Sequence, residues 1–475
     1  MYHNFGLFIG GAWTSGTASA EVVSPVTGKL LAEVPVARIG DTRAALDAAA
    51  AALPLLRAMG GFGRADALHR AADEMIRRAD EAARMICLET GKPIAQAARE
   101  WVLACDQFRW YAEEARRIYG RIIDSRVPGG RFEVTREAVG ITGAFTAWNF
   151  PAALPARKLA PALAAGCPVV LRPSSQTPGV AMVMVDCLRA AGLPDGAVNL
   201  VIGATGDTYA PIMADARVRK VSLTGSTRIG QQMIRDAADT VKKVSMELGG
   251  NAPLIVYDDA DLEAALDVAV PTKFANCGQV CVTPDRFFIH DSLHDAFVQG
   301  FVARAARIRL GDGLDPATGM GPLINAGRLA EIEAIVQDAV AAGATLAHGG
   351  RRADRNQGFF FEPTVLTGVS DDMRVFAEEN FGPIAAITRF RDEDEVLARA
   401  NASEMGLSAY AFTRSPDRAR RTVAALKAGM VGINSFAMAA SEAPFGGTNH
   451  SGMGREGGSE GIGDYLDTKL AQIVF

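Results

Sequence analysis

Three short runs of this chain hold residue types that can carry out one reaction together. Asn276-Cys277-Gly278-Gln279-Val280-Cys281 offers a thiol, Met246-Glu247-Leu248-Gly249-Gly250 a carboxylate, and Trp148-Asn149-Phe150-Pro151 a side-chain amide. A thiolate adds to a carbonyl carbon, an amide donor holds the resulting oxyanion, and a carboxylate serves as base. Each residue alone has a plainer reading. Most lone cysteines are small buried apolar residues, a glutamate beside glycines is commonly a surface ion-pair partner, and Asn-x-Pro opens turns. The combination is what points to Cys281 as nucleophile, Glu247 as base and Asn149 as oxyanion donor.

Local context agrees with those roles. Gly278 permits close backbone approach in the loop-like run before Cys281, and a thiolate is favoured by backbone amides or a nearby cation. Cys277 has no such support and is read as structural. Glu247 follows an apolar strand read over 241–246 and lies 34 residues before Cys281, so the two come from different elements. Burial at a strand's carboxyl end raises a carboxyl pKa and suits it to activating water. An amide donor such as Asn149 is worth about 3 kcal/mol to a developing oxyanion. Thr224-Gly225-Ser226-Thr227-Arg228-Ile229-Gly230 joins a strand to a helix, and its free amides and Ser226 hydroxyl suit a phosphate. It is not G-x-G-x-x-G, and a tight strand-to-helix turn accounts for the same run.

These groups have to be positioned by a chain of 475 residues, long enough for two or three domains. Its 49% apolar and 22% charged residues are ordinary for a soluble globular protein. A net charge of -5 and a pI near 5.8 leave no electrostatic footprint for nucleic acid or an anionic membrane, so neither is expected as a partner. The opening run from Met1 to Gly10 has no basic or long apolar region of a secretory signal, and no stretch reaches about 18 uninterrupted apolar residues. Six cysteines are too sparse for a disulfide framework, which fits a reducing cytoplasm. Cys277 and Cys281 have no His or Cys at zinc-like spacing, so no metal site is expected.

Residues 41 to 120 read as helical, with apolar periodicity over 41–57, 64–90 and 95–118 and a break at Gly91-Lys92-Pro93. The segment 121–139, with Val127-Pro128-Gly129-Gly130 between apolar alternations, predicts a hairpin or an arm. From 138 to 269, strands at 140–146, 168–171, 198–202, 219–224 and 253–257 alternate with helices at 155–165, 177–191, 205–214, 227–238 and 259–269. That alternation predicts a doubly wound parallel sheet with a nucleotide at the carboxyl ends of its strands. The pattern restarts after Cys281, with helices near 292–308, 326–342 and 415–427 and strands near 384–390 and 408–413, as a second α/β unit carrying the thiol. The final run 464–475 alternates as a strand and is expected to pair with the 121–139 arm or across a subunit contact.

Taken together, the ordered runs resemble the aldehyde dehydrogenase superfamily over essentially the whole chain. They are Ala147-Trp148-Asn149-Phe150-Pro151, Lys158 to Gly166, Arg172-Pro173-Ser174-Ser175, Thr224-Gly225-Ser226, Met246 to Gly250, Gly278-Gln279-Val280-Cys281, Glu378 to Pro383 and Pro444-Phe445-Gly446-Gly447. Asn251-Ala252-Pro253 and Gly454-Arg455-Glu456-Gly457 make it most similar to bacterial succinate-semialdehyde and 2-oxoglutarate-semialdehyde dehydrogenases. The resemblance implies an α/β fold with a doubly wound, Rossmann-type cofactor domain over 1–120 and 140–248 and an α/β catalytic domain over 249–447. A small β oligomerisation arm is implied from 121–139 and 460–475, in a homodimer or homotetramer. The implied reaction is NAD- or NADP-dependent oxidation of a small aldehyde to the acid, through a thiohemiacetal and then a thioester on Cys281. Trp148, Ser226 and its turn are implied to approach the pyrophosphate, with Gly203, Gly225, Gly230 and Leu248 in the cofactor site. Glu379 and Phe381 are implied to face the nicotinamide-side ribose and ring, and Lys158 to lie near the oxyanion. A CoA-acylating dehydrogenase is a second enzyme reading, against which Glu247, a base for water, argues. An ester hydrolase leaves the Thr224-Gly225-Ser226 turn and Glu379 without use, and a silent protein on this fold has no use for the three central residues.

Departures from the family pattern bear on cofactor and substrate. The family often has Lys-Pro-x-Glu where this chain has Arg172-Pro173-Ser174-Ser175. A carboxylate there repels a 2′-phosphate and a serine does not, so with Arg172 as a fork donor NADP is expected to be accepted and preferred. Arg157 matches a carboxylate-binding arginine of the semialdehyde enzymes. The second arginine of those enzymes falls at Ala275, their serine at Ala439, and their second cysteine at Thr283. Phe150, Leu154, Val280, Val282 and Phe445 make an apolar tunnel for the rest of the substrate. The expectation is a semialdehyde such as succinate semialdehyde, held more weakly than by two arginines, with a less acidic or larger aldehyde as the alternative.

Overall fold

A computed structural model describes residues 5–355 and 357–475, so residues 1–4 of the N-terminal run lie outside it. Five parallel strands form the centre of the first sheet, in the order Val198–Leu200, Val169–Arg172, Ile141–Phe145, Val218–Thr224, Lys243–Glu247. Chain order reverses direction between Ile141–Phe145 and Val218–Thr224, and a reversal of this kind opens a crevice at the carboxyl ends. Ile141–Phe145 is buried along its whole length, as expected of a strand covered on both faces. Helix Ile39–Ala58 packs with Thr205–Ala214, and Gly60–Arg77 packs with Ala153–Ala165 and Pro178–Ala190.

Both edges of this sheet come from distant parts of the chain. Leu7–Ile9 and Ala12–Thr14 add antiparallel beside Val198–Leu200, and Gly452–Met453 pairs antiparallel with Met246 and Glu247. The helix expected over 64–90 is two helices, Gly60–Arg77 and Ala79–Thr90. Arg78 between them leaves helical geometry at φ -103° and ψ 19°, and its guanidinium binds Glu81 and Asp186 at 2.8 Å each. Ala79–Thr90 ends on left-handed Gly91, and Ile94–Ala115 begins after the Lys92-Pro93 break.

From Glu247, four residues carry the chain to Ala252–Val256 in the second sheet. That sheet runs Thr345–His348, Thr364–Thr367, Ile384–Phe390, Pro284–His290, Ala252–Val256, Ser408–Phe412, Met430–Ile433, parallel except at the first pair. Carboxyl ends of the first sheet therefore meet amino ends of the second. Helix Leu262–Phe274, started by Asp261 accepting from Ala264 N at 3.1 Å, continues past the expected end at 269 and through Pro271. Proline there removes one helical hydrogen bond, and burial of Lys273 and Phe274 holds the last turn. The terminal strand Leu466–Val474 pairs antiparallel with Gly130–Ala138, which pairs with Arg121–Asp124, so the arm and the C-terminal strand form one small sheet.

Candidate active site

Helix Leu262–Phe274 delivers the chain into a tight turn with three successive left-handed residues, Asn276 (φ 48°), Cys277 (φ 58°) and Gly278 (φ 70°). A Cβ on Gly278 would stand 2.1 Å from Gly382 O, so only glycine fits. The turn is tied down by its own amides. Asn276 Nδ2 donates to Asn149 O at 3.1 Å and Gln279 O at 3.2 Å, and Gln279 Nε2 donates to Asn276 O at 3.0 Å. Cys277 is buried, whereas Cys281 is half-buried beside Phe445 and Val282. Burial and the nearby carboxylates of Glu379 and Glu247 push the Cys281 thiol up to about 12, opposed by Arg157 and its own N–H.

Asn149 sits on that turn rather than in a solvent loop. It is 3% exposed, and its Nδ2 donates to Gln279 O, two residues before Cys281, at 3.2 Å. Glu247 is the last residue of Lys243–Glu247. The strand expected over 241–246 starts two residues later and takes in Glu247, because Val241 is left-handed (φ 52°) and 78% exposed. Glu247 is buried, its Oε2 lacks a partner among the described residues, and burial followed by the charge of Glu456 drives its pKa well above the carboxyl range. Beyond the first sheet's edge the linker passes tightly against the backbone of Cys281, since a Cβ on Gly250 would lie 2.3 Å from Cys281 O.

Lys158 was singled out in the sequence, but its buried partners and three residues around the start of helix Ile94–Ala115 were not. Lys158 donates to Glu456 Oε1 at 2.5 Å and to Ser222 Oγ at 2.9 Å. In the sequence Glu456 stood only within the run Gly454-Arg455-Glu456-Gly457 and Ser222 within the strand read over 219–224, neither with a role of its own. Lys92, Gln96 and Glu100 read as a helix break and ordinary helix surface, yet Lys92 Nζ donates to Asn149 O at 2.8 Å. Polar residues at four-residue spacing were the signal available for them.

On the substrate side, Arg157 is 7% exposed, its Cζ lies 4.1 Å from the Phe445 ring centroid, and Nη1 has no partner among the described residues. Leu154 and Phe445 are buried, while Phe150, Val280 and Val282 are half-buried. Ala275 is half-buried and Ala439 exposed, so neither adds bulk or charge. Thr283 is turned away, its hydroxyl donating to Thr272 O at 3.1 Å.

The expected cofactor residues line the carboxyl edge of the first sheet. Ser226 precedes helix Thr227–Ala238 without its side chain capping that helix, leaving hydroxyl and first-turn amides open to an anion. Gly225 N donates to Glu247 O at 3.0 Å, and Leu248 packs directly over Gly230. Thr146 and Thr224 hydroxyls and Arg172 Nε are buried without partners among the described residues. Arg172 is not free as a two-armed fork beside the serines, because Nη2 donates to Gly203 O at 3.1 Å. Ser174 Oγ accepts from Gln176 N at 3.2 Å, and Ser175 is exposed. Glu379 Oε1 accepts from Gly250 N at 3.0 Å, and burial lifts its carboxyl to about 8. Trp148 and Phe381 meet edge to face at 5.5 Å. Unpartnered hydroxyls, an open helix N-terminus and a facing carboxylate fit the phosphates and ribose hydroxyls of a dinucleotide. Among the described residues no group of three His, Cys, Asp or Glu side chains is arranged to hold a metal, and no single helix is long and apolar enough to cross a membrane.

Residues 13–471 match the sequence pattern described as the aldehyde dehydrogenase family. The chain belongs to this family. The aldehyde dehydrogenase is 43% identical over 468 residues to a glutarate-semialdehyde dehydrogenase of Pseudomonas putida, covering 98% of this chain and 97% of the other. It is also 43% identical to an NADP(+) succinate-semialdehyde dehydrogenase of Escherichia coli, covering 98% and 97%. The crystal structure of a succinate-semialdehyde dehydrogenase from Burkholderia pseudomallei superposes with a TM-score of 0.97 at 42% identity, covering 99% of this chain and 98% of that one. The aldehyde dehydrogenase is thus an NAD(P)-dependent enzyme that oxidises an aldehyde to a carboxylic acid, closely related to bacterial succinate- and glutarate-semialdehyde dehydrogenases.

Proposed function

We propose that this aldehyde dehydrogenase acts on a semialdehyde, an aldehyde with an acidic group at its far end, with succinate semialdehyde as the model substrate. The observation that carries the reading is Arg157, a buried guanidinium with an unpartnered N–H above Phe445. A buried N–H without an acceptor is costly, and a substrate carboxylate supplies one. Relatives named for glutarate and succinate semialdehydes support the same class. A larger aldehyde is the second reading, favoured by alanine at 275 and 439.

Cys281 Sγ bonds to the aldehyde carbon while the carbonyl electron pair moves to oxygen. Asn149 Nδ2, with one N–H held by Gln279 O, turns its other N–H to that oxyanion together with the Cys281 amide. The unpartnered Oε2 of Glu247 takes the thiol proton. The bound NAD or NADP supplies the hydride acceptor, held by Trp148, Ser226, Glu379 and Phe381. Loss of hydride leaves a thioester on Cys281. Glu247 releases the thiol's proton to solvent and then takes one from water as its oxygen attacks the thioester carbon; the carbon–sulfur bond breaks, and the proton on Glu247 passes to the departing thiolate as the acid is released. Burial, followed by the charge of Glu456, whose carboxylate accepts from Lys158 at 2.5 Å, raises the proton affinity of this base.

NADP is proposed as the preferred cofactor because Ser175 stands where a carboxylate would repel a 2′-phosphate. The arm, with Ile122, Leu470 and Phe475 exposed, supports self-association as a dimer or tetramer. Six free cysteines support a reducing, cytoplasmic setting. The test is a panel of aldehydes with and without a distal carboxylate, assayed with both cofactors. A kcat/KM that is no higher for acidic aldehydes would remove the semialdehyde reading.

A further inference from the structure

Lys92, Gln96 and Glu100 stand four residues apart, across the start of helix Ile94–Ala115 and along its first two turns. That spacing lines them up on one side of the helix, and the side faces the reaction centre. Each grips a different piece of site backbone. Lys92 Nζ donates to Asn149 O at 2.8 Å, Gln96 Oε1 accepts from Asn276 N at 3.0 Å, and Glu100 Oε1 accepts from Ala152 N at 2.8 Å and Ala153 N at 3.3 Å. Lys92 and Glu100 are joined to each other at 2.6 Å, both 2% exposed, and the ammonium also lies 4.2 Å from the Phe150 ring centroid.

The three held segments carry distinct reaction groups. Asn149 bears the oxyanion amide, Asn276 opens the left-handed turn that presents Cys281, and Ala152 and Ala153 begin the helix that carries Arg157. Left-handed Asn276 and Cys277 are conformations that persist only when their surroundings over-determine them. The turn's own amides are joined here by one contact from outside it, Gln96 Oε1 accepting from Asn276 N, and Asn276 Nδ2 reaches the same Asn149 carbonyl that Lys92 holds.

We infer that Lys92, Gln96 and Glu100 are positioning residues that set the separation between the Asn149 amide and the Cys281 sulfur. This rests on the roles proposed above for Cys281 and Asn149. Displacement of a reacting group by about 1 Å costs up to about 100-fold in rate, so loosening the clamp lowers the rate of hydride loss without removing any group that touches substrate.

The test uses Gln96→Leu, Gln96→Glu and Lys92→Met, compared with Cys281→Ala. Gln96 is half-buried and its replacement removes one acceptor, so it carries the least risk to folding. The readouts are kcat, KM, the primary deuterium isotope effect with a 1-deuterated aldehyde, and the melting temperature. Gln96→Leu is expected to lower kcat by about 10- to 100-fold, with KM within about twofold, a larger isotope effect and little change in melting. Gln96→Glu, which keeps an acceptor oxygen for Asn276 N, is expected to recover most of the rate. An unchanged kcat and isotope effect in Gln96→Leu, or a loss that Gln96→Glu does not restore and that follows the melting temperature, overturns the inference. Cys281→Ala separates the two levels. If it retains aldehyde-dependent cofactor reduction, the nucleophile reading has failed; if it is inactive while Gln96→Leu behaves as wild type, only the clamp has failed.

Discussion

Arg157 lies over Phe445 with its Cζ 4.1 Å from the ring centroid, and among the described residues its buried Nη1 has no hydrogen-bond partner. The aromatic face supports the cation from one side only, and its open N–H is free for a distal carboxylate of the substrate. Charge-assisted hydrogen bonds contribute about 1.5–3 kcal/mol. Arg157→Met is therefore expected to raise KM for succinate semialdehyde by about 10- to 100-fold, while propanal changes by less than about twofold. Equal effects on both aldehydes, measured by initial rates, would falsify the anchor.

Ala275 lies half-buried on the turn leading to Cys281, at the position where semialdehyde enzymes of the resemblance carry a second arginine. Ala275→Arg is expected to lower KM for succinate semialdehyde by about tenfold, one charge-assisted contact, with kcat for propanal unchanged or reduced. No change in KM would show that the position does not reach the substrate's acid.

Glu247 is proposed to act in both proton steps, and the larger effect is expected on water attack. In Glu247→Gln, one equivalent of reduced cofactor per site is expected in a burst, followed by a steady rate lower by about 100- to 10,000-fold. Quenched enzyme should carry the acyl group on Cys281 by mass spectrometry. A slow, linear time course without acyl-enzyme would place the limiting step before the thioester.

The thiol's pH dependence follows from its surroundings. With the Cys281 thiol at about 12, the thiolate fraction grows as pH rises, so alkylation by iodoacetamide without cofactor should accelerate throughout pH 6 to 10. Glu379, at about 8, is mostly neutral at pH 6 and becomes charged above pH 8, where it disfavours the thiolate. Glu379→Gln should alkylate like wild type at pH 6 and faster than wild type at pH 9. The same ratio at both pH values would rule out this charge as the cause.

We propose that cofactor choice depends on Ser175, exposed beside the carboxyl end of Val169–Arg172. Wild type is expected to favour NADP over NAD in kcat/KM, and Ser175→Glu to reverse that order by restoring a carboxylate that repels a 2′-phosphate. Preference for NAD in the wild type would contradict the expectation. Arg172, with one arm held by Gly203 O, then contributes through its remaining N–H groups.

The chemistry was legible because few residue types can do it. A thiol, a carboxylate and an amide in glycine-flanked runs are recognisable wherever the chain later brings them: Asn149 bonds to the turn that leads to Cys281, and the charge of Glu247 acts on its thiol. Strand and helix alternation was also local information, and the helices Thr205–Ala214 and Thr227–Ala238 and the strand Ile384–Phe390 have the bounds their periodicity predicts. The break at Arg78 was not legible, since one of the two carboxylates that bind its guanidinium, Asp186, stands on another helix, nor was the passage of Leu262–Phe274 through Pro271, whose last turn is buried.

Lys92 and Glu100 mark the limit most clearly. In sequence they are two charges eight residues apart, indistinguishable from solvated helix surface; in the fold they are a buried pair bonded to the backbone that carries Asn149. Glu456 is the same case, brought to Lys158 from 298 positions away. The sequence by itself determined which reaction the chain can perform, because side-chain chemistry and local periodicity are properties of neighbours along the chain. Tertiary structure alone decided which charges are buried, what they hold and how far apart the reacting groups stand, because desolvation and hydrogen-bond geometry depend on packing between segments that have no relation in sequence.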